Sequence, residues 1–157
     1  MSRPMIRRAE IADCNRALGL LRDSHKAAGF DRADGPSGFV VPFDRSYASR
    51  LFLAHVSMLR MLCLLLVVDQ APEGILMAAA HEHPFGPVWL SRETVWWIDP
   101  AHRGSAAPRM LDAYERWAKE QRCAFAGMAG MGEDPDVAKL YLRRGYRVAE
   151  THFLKAL

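Results

Sequence analysis

From residue 61 to residue 68 the chain reads MLCLLLVV, an unbroken apolar run. A run this short, followed by the turn residues of QAPEG, reads as a strand buried on both faces. It is far below the roughly 18 apolar residues that a membrane helix needs. The segments around it alternate or repeat. Residues 10–29 repeat at helical spacing, with Ala17, Leu18, Leu21 and Ala28 on one face, Asp13 placed to cap and Gly29 to stop. Residues 44–59 predict a second helix through Phe43, Tyr47, Leu51 and Ala54. Met110, Leu111, Tyr114, Trp117 and Ala118 form the apolar stripe of a third. Residues 134–144 predict a fourth, ended by Gly145. Shorter stretches at 4–9, 75–80, 93–98, 123–129 and 146–154 read as strands, and 31–42 (DRADGPSGFVVP) reads as a loop that could border a site.

The resulting order is β-α-α-β-β-β-α-β-α-β. Its first part is antiparallel in character, and its second part contains crossover helices. That order predicts a mixed α/β sheet with helices on its faces. No repeat and no break in composition divides the chain, so residues 1–157 read as one domain.

Composition narrows the chemistry only a little. Half of the 157 residues are hydrophobic and the formal net charge is +3. That balance suits an anionic small ligand and argues against nucleic acid as the main partner. Cys14, Cys63 and Cys123 form no C-x-x-C pair and no metal-ligand spacing, so no metal site is expected and a reducing, cytoplasmic setting fits. The first residues, MSRPMIRRAEIADC, lack the apolar segment of a secretory signal, and no membrane association is expected.

The most informative stretch follows the strand at 93–98. Asp99-Pro100 ends that strand, and Ala101-His102-Arg103-Gly104-Ser105-Ala106-Ala107-Pro108-Arg109 leads into the third helix. Small residues admit a ligand close to the backbone, while unpaired amides at a helix start favour an anion such as pyrophosphate. Arg103 and Arg109 add charge-assisted donors. The stretch is neither G-x-x-x-x-G-K-[ST] nor G-x-G-x-x-G.

These residues resemble the GNAT N-acetyltransferases, whose pattern is V-x-P-x-x-R-G-x-G-x-G/A between strand and helix. Here that pattern corresponds to residues 98–108. Downstream, Asp134 to Tyr146 is similar to the family's N-x-x-A-x-x-L-Y-x-x-x-G-F at Leu140-Tyr141 and Gly145-Tyr146. Three positions depart from it. Ala106 replaces a glycine, Pro108 brings a residue without an N–H, and Asp134 stands where Asn is common.

The resemblance implies a mixed, mostly antiparallel sheet of six or seven strands flanked by about four helices. It implies acetyl transfer from acetyl-CoA to a primary amine of a small molecule or protein. The alternative is a catalytically silent module of the same fold that binds an acyl-CoA as a ligand or acts through protein contacts. Tyr141 matches a family tyrosine near the CoA sulfur, and Glu93 is the best-placed carboxylate for a base. Trp96 and Ile98 would neighbour the pantetheine through main-chain atoms. Arg103, Gly104, Ser105, Ala106, Ala107, Arg109, Asp134 and Tyr141 complete the implied cofactor site. His81, His83, Glu150 and His152 are weaker candidates. A homodimer sharing sheet edges would cover an edge the chain itself leaves open.

Overall fold

The apolar run forms β2 (Met61–Val68), and its side chains divide alternately between two helix layers. Leu62, Leu64 and Leu66 enter one core with Leu76, Met110, Leu111, Tyr114 and Trp117. Cys63, Leu65 and Val67 enter the other with Leu18, Leu21, Phe52, Ile75 and Met77. This is why the run has no polar position: a strand covered on both faces needs none. The computed structural model describes residues 3–130 and 135–157.

The elements are β1 (Met5–Arg8), α1 (Cys14–Ala27), α2 (Arg45–Ser57), β2, β3 (Ala71–Glu82), β4 (Trp89–Ile98), α3 (Ala106–Glu120), β5 (Cys123–Gly127) and α4 (Pro135–Arg143). Among the described residues they make one sheet in the order β1-β2-β3-β4-β5, antiparallel except for the parallel pair β4–β5. Helices α1 and α2 cover one face, and α3 covers the other with Tyr141 of α4.

Local chemistry accounts for the boundaries. Asp44 caps α2 by accepting the Tyr47 amide at 2.8 Å. Gly29 ends α1 at φ +73°, and a Cβ there would lie 2.3 Å from Pro36 Cδ. Asp13, expected to cap α1, makes no side-chain bond to that helix. Its carboxylate instead accepts the Glu10 amide and both terminal nitrogens of Arg7, each at 2.8 Å, pinning β1 to the start of α1.

Three expectations are corrected. The turn after β2 is only Asp69-Gln70, both at positive φ, and Pro72 to Gly74 already belong to β3, which absorbs Glu73 in a bulge. Strand β4 begins at Trp89, four residues before the expected start at Glu93, because Trp89 to Arg92 pair with both β3 and β5. The last expected strand, 146–154, is absent: these residues carry no strand pairing, and the sheet has five described strands rather than six or seven. Their alternation puts Val148 and Leu154 on the same side as Glu150 and His152. Neither face is apolar enough to drive burial, and Val148, Phe153 and Leu154 stay exposed.

Candidate functional site

Strands β4 and β5 run parallel and then part. Their register ends at Ser91↔Ala126 and Arg92↔Gly127, after which β4 continues to Ile98 paired with β3 only. Buried hydrogen bonds fasten the apex of this wedge. Ser91 donates to the Tyr114 hydroxyl at 2.8 Å, and Tyr114 donates to the Gly127 carbonyl at 2.8 Å, so β4, α3 and β5 meet at one point. Close approach is built in, since a Cβ on Gly127 would lie 3.1 Å from the Ser91 carbonyl oxygen. Burial raises the Tyr114 phenol above its ordinary range, which keeps it a neutral donor.

Beyond the apex a carboxylate spans the gap. Glu93 Oε1 accepts the Ala129 amide at 2.7 Å, and Oε2 is buried without a hydrogen-bond partner. Desolvation pushes this carboxyl up to about 7, partly opposed by the Ala129 bond. Tyr141 approaches the same residue from α4, donating to the Ala129 carbonyl at 2.9 Å. Trp96 lies 6.1 Å from the Tyr141 ring, centroid to centroid, and Tyr146 lies 5.6 Å from it. The wedge therefore gathers Glu93, Trp96 and Tyr141. The two indoles of Trp96-Trp97 face opposite layers, Trp96 packing with α3 and Trp97 with α1 and α2.

The turn before α3 is more constrained than its sequence suggests. The amides of Ala106 and Ala107 both donate to the Arg103 carbonyl, at 2.9 and 3.3 Å. Pro108 has no amide hydrogen. The amides of Gly104 and Ser105 make no hydrogen bond within the described residues, and Gly104, at φ +21°, has open space beside it. Arg103 donates through Nε to the Ile98 carbonyl at 3.0 Å and lies 5.0 Å over the Trp97 ring, which docks it on the strand end. Arg109 points elsewhere, donating to the Pro4 carbonyl at 2.9 Å beside β1. Asp134 lies outside the described residues.

Of the weaker candidates only Glu150 touches the wedge, through Arg92 at its apex. His81 is exposed, and His83 accepts the Phe85 amide in the β3–β4 turn. Glu150 pairs with Arg92 at 3.2 Å and with His152 at 3.0 Å on the exposed C-terminal segment. No group of three potential metal ligands occurs among the described residues. No described helix is long and apolar enough to cross a membrane.

Sequence reasoning missed two features. One is the Ser91–Tyr114–Gly127 clasp, whose members carry no motif. The other is His55, buried on α2 and hydrogen-bonded to Thr94 of β4 at 2.8 Å. The helical spacing of Leu51 and His55 was a signal only for packing.

No family profile and no curated protein matches the sequence. Solved structures do match the fold. The ribosomal-protein-alanine N-acetyltransferase of Brucella melitensis biovar Abortus superposes with a TM-score of 0.74 at 15% identity, covering 99% of each chain. A predicted acetyltransferase of Clostridium acetobutylicum, solved with acetyl-CoA, gives 0.77 at 14% identity over 98% of this chain and 96% of that one. A GNAT family acetyltransferase of Staphylococcus aureus gives 0.68 at 17% identity over the whole of both chains. The chain thus has the mixed α/β fold of the GNAT acetyltransferases.

Proposed function

We propose that this chain, built on the GNAT fold, is a single-domain N-acetyltransferase that moves an acetyl group from acetyl-CoA to a primary amine of a small molecule or protein. The observation that carries the reading is Glu93: a carboxylate buried at the mouth of the β4–β5 wedge, one oxygen unpartnered, with its ionisation near neutrality. An orphaned buried oxygen is costly unless a ligand completes it, and a base near pH 7 is well matched to taking an amine proton.

The residues fit an acyl-CoA at two places. The unpaired amides of Gly104 and Ser105 lie at the positive end of α3, where a pyrophosphate would be held. The edge of β4 beyond Arg92, which β5 does not pair, can bond an extended chain such as pantetheine short of the Ile98 carbonyl that Arg103 holds. When bound, acetyl-CoA supplies the activated acetyl thioester. Glu93 accepts the proton that the amine loses. Tyr141, whose hydroxyl hydrogen is now given to Ala129, is placed to turn toward a departing sulfur. Trp96 and Tyr146 pack around Tyr141 and limit water there.

A second reading, a silent module of the same fold, is favoured by the turn. Two of its amides are taken by the Arg103 carbonyl, and Pro108 lacks one. Calorimetric titration with acetyl-CoA separates the two. The enzyme reading expects saturable binding and, at a hundredfold excess over Kd, stabilisation of about 2.7 kcal/mol, or roughly 5–10 °C in Tm. Absence of both heat and thermal shift at millimolar cofactor leaves the silent module. Thiol release across a panel of primary amines then tests transfer itself.

A further inference from the structure

Thr94 occupies the bulge of β4. Met77 pairs with Val95 and Ala78 with Glu93, which leaves Thr94 without a partner on β3. A bulge turns adjacent side chains out of strict alternation. Here Val95 packs with the α1–α2 layer and Thr94 bonds to His55 of the same layer, while the preceding Glu93 reaches toward β5. Thr94 is exposed, and it is the second residue past the last β4–β5 pair. It therefore stands at the wedge mouth, next to Glu93 in the chain, with its hydroxyl on the face of the sheet opposite α3.

The hydrogen-bond chain behind Thr94 fixes what it can offer. His55 Nδ1 lies 2.8 Å from the Leu51 carbonyl oxygen, and a carbonyl only accepts, so Nδ1 carries the hydrogen. Burial keeps the imidazole neutral, so Nε2 has only a lone pair. The Thr94 hydroxyl at 2.8 Å must then donate its one hydrogen to Nε2. What remains toward solvent is lone pairs alone. A hydroxyl locked in this way binds donors and refuses acceptors.

We propose that Thr94 Oγ1 is a docking point for the amine substrate, accepting one of its N–H bonds from the α1–α2 side of the wedge. The proposal rests on the acetyltransferase reading and sharpens it: the acceptor class is a nitrogen donor, selected against oxyanions by a threonine that His55 holds in one orientation. No covalent step involves Thr94 or His55; both are positioning residues.

The test uses the full chain with n-propylammonium as a bare amine probe and propionate as its control. In wild type, nitrogen NMR should find His55 protonated at Nδ1, and propylammonium should shift the His55 and Thr94 resonances while propionate leaves them in place. Thr94→Ser should retain the response and Thr94→Val should lose it. Amine turnover should show about a tenfold rise in KM in Thr94→Val, with the KM for acetyl-CoA little changed, and recovery in Thr94→Ser; the melting temperature of Thr94→Val should fall, because the buried His55 Nε2 loses its partner. An equal propylammonium response in Thr94→Val, no response in wild type, or a proton on Nε2 overturns the proposal. Failure of acetyl-CoA to bind overturns only the acetyltransferase reading, because the probe titration needs no cofactor.

Discussion

Burial raises the Glu93 carboxyl from 4.5 to about 7, so folding favours its protonated form. The stability this contributes is fully present below pH 4.5 and is lost as pH rises through 7. Relative to Glu93→Gln, wild type should lose about 3 kcal/mol of unfolding free energy across that window, which urea melts at several pH values would measure. Parallel pH curves for the two proteins would show that the carboxyl is not desolvated. Catalysis runs the other way. If the proposed transfer uses Glu93 as its base, it needs the ionised carboxylate, so kcat/KM for the amine should rise with pH through about 7 and then level. Glu93→Gln should lower kcat by about a hundredfold to ten-thousandfold with little change in acetyl-CoA affinity. On that reading the protein gives up stability at the same pH at which Glu93 becomes a working base.

The start of α3 and the end of α1 make contrasting predictions among the elements. Pro108→Ala restores an amide in the first turn of α3, where it is not needed by the helix. Calorimetry should find acetyl-CoA bound several-fold tighter, on the order of one charge-assisted hydrogen bond, with little change in Tm. Gly29→Ala has no such latitude. Its φ of +73° and the 2.3 Å approach to Pro36 should cost about 2 kcal/mol or more in urea melts, while cofactor affinity is unchanged. Both positions could be singled out from sequence, because Gly and Pro act through the backbone and carry their meaning locally. The apolar run of β2 and the stripe of α3 were legible for the same reason, as periodicity reflects burial. The wedge was legible only in part. Glu93, Trp96 and Tyr141 stood out by type and by resemblance, but their convergence on Ala129 depends on strand divergence, which no local pattern encodes. Arg103 and Arg109 looked equivalent in the sequence. Contacts with Ile98, Trp97 and Pro4, the last more than a hundred residues away, make them different. Thr94 drew no notice because a bulge is a property of two strands together.

At the level of the molecule, the sheet is antiparallel and two-sided through β4 and ends at β5, a short strand with no further partner among the described residues. Phe125 on it is exposed, as are Val148, Phe153 and Leu154 on the segment after α4. Apolar groups beside an unpaired edge favour association of two copies. Sedimentation equilibrium should show mass rising with concentration, and Phe125→Lys should suppress the rise without lowering Tm; a strictly monomeric wild type would sink this. The parallel seam has a kinetic consequence as well. β2, β3 and β4 are joined by short turns, whereas β5 reaches β4 only after the crossover through α3. A short seam closed across a long loop rests on few pairs and on the Ser91–Tyr114–Gly127 clasp, so it should breathe as a unit below the free energy of global unfolding. Backbone deuterium uptake should therefore begin at residues 125–127, long before the interior of β2. A molecule seated between the strands would have to close that opening first, so part of its intrinsic affinity is spent on stiffening the cleft, and slowed uptake there is the signature of occupancy.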